Sequence, residues 1–320
     1  MADLKTKIFT GILSSTMVFT SLPALASHAD TVKANDTVIS IEKDDGDYDP
    51  YAPVDSGYCG TNYAYWSLDK YGTLFISGDK GAKMNNYKKI GEAPWYKYKD
   101  QITCIYVMGG ITNIGNYAFA NMYGFIRMDE ATDLKTIGSY AFYNTQYDYV
   151  DRPFVFPSGV TSIGSYAFYN VNIIDVKLPA SLVSIGSHAF EKTLCPSIVL
   201  PSKVSSIGSS AFANMPNLVS VTGGSLVKTI GSYAFHKNPK LVTFKLTSSK
   251  LTTIGSYAFS GDSKLKTVYI QKTKKLKKKK VKKSLKGSSV KTVKVKKSKV
   301  KTYKRYFTKK NCGRKVKVKK

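Results

Sequence analysis

Few side chains in this 320-residue chain are suited to acid–base, nucleophilic or metal chemistry: three histidines and four cysteines. His188 and His236 each sit inside or beside a recurring Ala-Phe motif, which marks them as substitutions within a pattern rather than as bases. His28 lies near the N-terminus, far from both. Cys59, Cys104, Cys195 and Cys312 match no Cys-x-x-Cys zinc or redox spacing. Cys59 and Cys104 have two readings, a disulfide pair or two buried thiols. Asp45-x-Asp47-x-Asp49 has the opening of a calcium loop, but such a loop needs Gly at its sixth position and Glu at its twelfth. Pro50 and Ser56 stand there. No Gly-x-Ser-x-Gly, His-Glu-x-x-His, phosphate-binding or dinucleotide fingerprint occurs. The expectation is therefore no enzyme, no cofactor, no metal and no catalytic residue.

Lysine is the other chemistry-bearing side chain, and it is unevenly placed. The formal net charge is +28, yet residues 264–320 hold 27 of the 49 basic residues and no acidic one. The preceding body, with 22 basic and 21 acidic residues, is nearly neutral. Lys277, Lys278, Lys279, Lys280, Lys282, Lys291, Lys294 and Lys317 form a candidate anion-binding patch. Nucleic acid is the obvious partner for unopposed positive charge. It is disfavoured here because the charge is almost all Lys, a point charge without the planar fork of Arg, and no nucleic-acid fold motif surrounds it. Anionic polymers of a cell envelope offer the same electrostatics.

The elements that position these residues follow from a repeat. Ile114-Gly-Asn-Tyr-Ala-Phe119 recurs from Ile137, Ile163, Ile185, Ile207, Ile230 and Ile254, with gaps of 23, 26, 22, 22, 23 and 24 residues between successive glycines. Seven copies at this period indicate a solenoid. Ser or Asn after the Gly, and Asn or Gly two residues after most of the Phe residues, predict one turn of helix capped at both ends. The glycine predicts a sharp bend or a close backbone approach. Between the turns runs Leu-x-x-Val-x-Leu, as in Leu241-Val-Thr-Phe244-Lys-Leu246 and Leu265-Lys-Thr-Val268-Tyr-Ile270. Its period-2 end predicts a short strand with one buried face. About nine such strands stacked at roughly 4.8 Å give a parallel sheet roughly 40 Å long. Its outward residues are expected to form one continuous candidate binding face: Arg127, Asp129, Asp175, Lys177, Ser220, Thr222, Thr243, Lys245, Thr267 and Tyr269.

The unit best seen in Leu178-Pro-Ala-Ser-Leu-Val-Ser-Ile-Gly-Ser-His-Ala-Phe190 resembles the bacterial BspA-like leucine-rich repeats, over about residues 101–270. The pattern departs at Val221-Thr-Gly223 and is lengthened from Gln146 to Phe156. The resemblance implies a right-handed solenoid in an exported or surface protein, mostly binding proteins or adhesins, with no conserved active site. The segment with Cys59-Gly60, Trp66 and Ala93-Pro-Trp-Tyr96 is similar to the stretch that commonly precedes these repeats.

The ends complete the organisation. Lys5 and Lys7, an apolar run from Ile8 to Leu22 and Ala24-Leu25-Ala26 predict a signal peptide over 1–26, cleaved after Ala26. No later segment has about 18 consecutive apolar residues, so no transmembrane span is expected. An acidic flexible linker follows over 27–56, then a β-hairpin cap over 57–107, with strands at Ala64–Leu68 and Thr73–Ser77. Trp66 and Trp95 there read as core, the other reading being a sugar-stacking platform. The repeats occupy 108–270. Residues 271–320 read as a Lys-rich degenerate repeat and C-terminal cap. Val290, Val293, Val295, Val316 and Val318 keep the strand pattern, Val300, Tyr303, Tyr306 and Phe307 share a helix face, and Asn311 to Gly313 ends it. The fold class expected is a leucine-rich-repeat type solenoid, with short parallel strands on one face and single helical turns and loops on the other. The function expected is an exported or surface-associated binding protein whose strand face takes an extracellular protein or glycan, with the basic cap on anionic envelope polymers. The alternative is a structural envelope component with the repeats as spacer.

Overall fold

The computed structural model describes residues 52–146 and 154–320, and the elements below belong to the unit Pro53–Lys320. The expected signal peptide, His28, the Asp45–Asp49 motif, most of the expected linker and residues 147–153 of the lengthened repeat lie outside the described residues.

Each coil has three sides. The first is the expected Leu-x-x-Val-x-Leu strand. Its C-terminal run comprises Ser197–Leu200, Ser220–Gly223, Thr243–Leu246, Thr267–Ile270, Thr292–Val295 and Lys317–Lys319, a six-stranded parallel sheet. The second side is a sheet that the sequence reading does not anticipate. The Ser-Ile or Thr-Ile pair before each glycine makes a two-residue strand. These join Ile111–Ile114, Ala82–Met84 and Gly60–Thr61 in one nine-stranded sheet. Two residues are too few to show a period, which hides this sheet from pattern reading.

The third side carries the Gly-Ser-Tyr-Ala-Phe segment, and here the expected helical turn is not formed. Tyr117, Tyr140, Tyr166, His188, Ser210, Tyr233 and Tyr257 all have φ between 53 and 60°, the left-handed region, which a right-handed helix excludes. Asn121, Asn144, Asn170 and Asn214 are left-handed too. The backbone is satisfied between coils instead of within a helix. The N–H groups of Tyr140, Phe142 and Asn144 donate to the carbonyls of Ser165, Ala167 and Tyr169 one coil on, at 2.8, 2.8 and 2.7 Å. The Ser hydroxyl expected as a cap has no such task. Asn116 does cap across coils, its Oδ1 accepting from Ser139 N–H at 2.7 Å.

The repeat glycine is explained by close approach. A Cβ on Gly186 or Gly208 would stand 2.5 Å from the backbone of the glycine one coil earlier. Glycine therefore stacks on glycine, and the coils come together at this corner. Inside, Phe119, Phe142, Phe168, Phe190, Phe212, Phe235 and Phe259 form a ladder with ring centroids 5.2 to 5.7 Å apart. Trp95 caps it, stacked on Phe119 at 5.5 Å.

The ends close a single core that runs from Cys59 to Val318. The expected hairpin forms between Tyr65–Leu68 and Thr73–Ser77. Trp66 and Trp95 are buried, and Trp95 Nε1 donates to the Ala118 carbonyl at 2.9 Å, so both belong to the core and make no sugar platform. At the other end the basic segment is folded. A short helix, Val300–Lys304, buries Tyr303, and Phe307 is buried after it. A second, Lys309–Cys312, begins under the Thr308 side chain and stops at left-handed Gly313. On the strands Thr292–Val295 and Lys317–Lys319, Val293, Val295 and Val318 are buried while Lys294, Lys317 and Lys319 lie on the outer side, as the alternation predicts.

Candidate binding surfaces

On the C-terminal sheet two outward files run across the coils. One is Val199, Thr222, Lys245, Tyr269, Lys294 and Lys319, each opposite the next. The other carries Ser197, Ser220 and Thr243, then, in the same register, Thr267, Thr292 and Lys317. Six of the ten candidate face residues, Ser220, Thr222, Thr243, Lys245, Thr267 and Tyr269, are thereby brought together. Ser197, Val199, Thr292 and Lys319 belong to the same surface and are absent from the candidate face, although strict alternation along each strand reaches them.

The other four are not on this sheet. Asp175 and Lys177 flank Val176, whose strand, among the described residues, pairs with Phe154–Val155 in a two-stranded sheet. Arg127 lies on Phe125–Arg127, the edge of the five-stranded N-terminal sheet. The expectation of one continuous strand face is thus corrected to three segments, the first break falling at the lengthened repeat. Within the N-terminal segment Arg127 is held in place. Its guanidinium lies 4.6 Å from the Tyr106 ring centroid and 3.2 Å from the Asp129 carboxylate. Tyr106 in turn packs beside Phe75 at 5.9 Å. Burial and a hydrogen bond with Glu130 raise the Tyr106 phenol, keeping it neutral.

The candidate anion patch also divides. Lys294 and Lys317 stand on the strand files, and Lys291 precedes them, its N–H donating to the Lys266 carbonyl at 2.8 Å. Lys278, Lys279 and Lys280 instead form a 3-10 turn against the two-residue-strand sheet, with Lys277 N–H donating to Thr252 at 3.0 Å. The Lys282 carbonyl accepts from the Ser256 hydroxyl on the turn side. Alternation cannot place Lys277 to Lys282 with the strand lysines, because the chain turns a corner between them.

The groups suited to catalysis are occupied structurally. The His188 ring replaces a tyrosine in a stacked file, 4.3 Å from Tyr166, and its Nδ1 bonds Glu191. His236 packs edge-on to Tyr233 at 5.3 Å, and burial lowers its pKa. The four cysteines are unpaired, which sets aside the Cys59–Cys104 bridge. Burial pushes the thiols of Cys59 and Cys195 up to about 12 and that of Cys104 up to about 11, so none is a thiolate near neutrality. Among the described residues no three His, Cys, Asp or Glu side chains are grouped to hold a metal, and no helix is long and apolar enough to cross a membrane.

Short parallel strands in register, a glycine-stacked corner and a phenylalanine ladder define a leucine-rich-repeat solenoid. The chain belongs to the BspA type leucine rich repeat family, whose model matches residues 88–193, 135–266 and 184–313. Among solved structures, a leucine-rich repeat protein from Eubacterium ventriosum is 22% identical, covers 75% of this chain and 84% of that one, and has a TM-score of 0.34. The T. pallidum leucine rich repeat protein is 22% identical over 65% and 91%, at 0.36. A leucine rich cell surface protein from Faecalibacterium prausnitzii is 18% identical over 74% and 88%, at 0.25. No curated protein matches the chain.

Proposed function

We propose that this is an exported, non-catalytic binding protein of the cell surface, which docks an extracellular protein or glycan on its C-terminal strand face and contacts anionic envelope polymers through its basic cap. The observation that carries the reading is the register of the two outward files. It sets hydroxyls, lysines and Tyr269 side by side on a surface built from backbone hydrogen bonds, so a ligand meets a preformed array and many weak contacts add along it. The cap continues the same files into Lys294 and Lys317, so the docking face and the basic end are one surface.

The test replaces Thr243 and Tyr269 together by Ala in the full chain and measures capture of purified surface glycans and surface proteins. Loss of capture with an unchanged melting temperature is the expected result. Full capture by this variant, with the melting temperature also unchanged, would favour the repeats as a spacer.

A further inference from the structure

The surface next to the strand face, where each coil passes from the Leu-x-x-Val-x-Leu strand to its two-residue strand, holds an open cavity of about 540 Å³ lined by Ser205, Leu226, Lys228, Lys250, Thr252 and Lys275. These residues come from four successive coils, and the backbone fixes their order. Lys228 N–H donates to Ser205, Thr252 to Lys228 and Lys277 to Thr252, at 2.8, 2.9 and 3.0 Å. Lys228, Lys250 and Lys275 are exposed. Lys250 and Lys275 each stand two residues before Thr252 and Lys277, one coil apart at about 5 Å, while Lys228 is in register with Thr252, so the three lysines form a staggered set on three successive coils.

We propose that this groove binds a linear polyanion with a saturated, hydroxyl-bearing backbone, its phosphodiester or carboxylate groups lying on Lys228, Lys250 and Lys275. The proposal deepens the anionic-polymer part of the reading above and rests on it, but places the contact in a groove that begins on the repeat coils and reaches the cap only at Lys275. Three observations point to this occupant. First, among the described residues no carboxylate is paired with these lysines. From Lys192 to Lys320 the sequence holds one acidic residue, Asp262, and that side chain is fully buried. Second, the groove is partly apolar. Leu226 is 42% exposed, an apolar surface for the C–H edges of a sugar or polyol. The hydroxyls of Ser205 and Thr252 donate to the carbonyls of Val183 and Lys228, at 3.3 and 3.1 Å, and so present lone pairs to ligand hydroxyls. Third, the lining contains no aromatic ring to stack a base and no Arg to fork onto one, the two devices by which single-stranded nucleic acid is held and read.

The experiment titrates the full chain with polygalacturonate, with poly(glycerol phosphate) and with an oligothymidylate of matched charge, at several salt concentrations. It compares the parent with Lys228→Gln/Lys250→Gln/Lys275→Gln and with Lys291→Gln/Lys294→Gln/Lys317→Gln. The groove variant is expected to lose at least tenfold in affinity for the saturated polymers, with the slope of log K against log salt smaller by about 2. The cap variant is expected to lose less than the groove variant. Preference between polygalacturonate and poly(glycerol phosphate) then distinguishes carboxylate from phosphodiester recognition. Unchanged affinity and slope in the groove variant overturn the proposal. If the cap variant carries the loss instead, the basic-cap reading survives without the groove; if neither variant changes, both fall. Tighter binding of the oligothymidylate than of either saturated polymer also overturns it, in favour of nucleic acid.

Discussion

Asp262 shows how a single residue can depart from its ordinary chemistry. Its carboxyl is fully buried; Oδ1 accepts the Asn238 N–H at 2.8 Å, and Oδ2 has no partner. Burial pushes its pKa up to about 8, from an ordinary value of 3.8. The folded chain therefore keeps a proton that the unfolded chain releases near pH 4. The stability contributed by that proton is complete below the unfolded value and is lost as pH rises toward about 8. Asp262→Asn retains the acceptor for Asn238 and removes the ionisation. Its stability relative to the parent should rise with pH between 4 and 8, by up to about 1.4 kcal/mol per unit. Denaturant melts at pH 5 and pH 8 check this, and an identical difference at both would show that the buried carboxyl does not titrate in this range. Phe190 tests packing in the same way. It is fully buried between Phe168 and Phe212, each 5.5 Å away. Phe190→Ala should leave a cavity between coils and cost about 3–5 kcal/mol. An unchanged thermal melt would remove Phe190 from the ladder.

At the scale of the element, the turn segment best shows what the sequence discloses and what it hides. Its recurrence, its inward Ala and Phe and its period are legible, because burial acts on residue type. Its backbone is not. Ser and Asn at helix-cap positions suggest a capped helix, whereas the tyrosine that follows adopts φ near 58°, a choice imposed by hydrogen bonds to the next coil that no local preference foretells. The candidate face was legible along the six-stranded sheet, and its continuity ends at Arg127 and Lys177, whose strands pair with Cys104–Val107 and Phe154–Val155 and not with that sheet. The outer rings carry a consequence of the true geometry. Tyr117, Tyr140, Tyr166 and His188 stack at 4.7, 4.7 and 4.3 Å, and Tyr233 and Tyr257 at 5.1 Å. Ser210 leaves a missing rung between the two runs, although its φ of 53° matches the tyrosines. Ser210→Tyr should therefore enter without strain, stack on His188 and Tyr233, and raise stability by about 1 kcal/mol. A lower melting temperature would mean that the space between those rings is not a ring's width.

On the scale of the whole molecule, charge is partitioned along the stack rather than balanced. Residues 192–320 carry 34 Lys and Arg against one acidic residue, and that one is buried. Gathering this charge costs self-repulsion, and a cap needing only solubility would tolerate mixed signs. The basic end is also no loose tail that can be cut away. Tyr303 is buried in it, donates to the Thr273 carbonyl at 3.4 Å and accepts from Leu276 N–H at 3.3 Å, and the strand Thr292–Val295 covers Thr267–Ile270. Ending the chain at Ile270 would bare the last coil, and loss of envelope binding would then report unfolding. Neutralising Lys277, Lys278, Lys279, Lys280, Lys291, Lys294 and Lys317 to Gln keeps the cover and takes away seven of the 27 basic residues of 264–320. Electrostatic attraction is screened over about 8 Å at physiological salt and over about 3 Å at 1 M. The parent protein, mixed with isolated cell envelopes, should therefore sediment with them at low salt and leave them in 1 M salt. The Gln variant, its groove lysines intact, should sediment measurably less than the parent at low salt and leave the envelopes in 1 M salt, with an unchanged circular dichroism melt. Parent protein that stays bound in 1 M salt, or a Gln variant that sediments as well as the parent, would show that the cap's charge does not hold the molecule to the envelope.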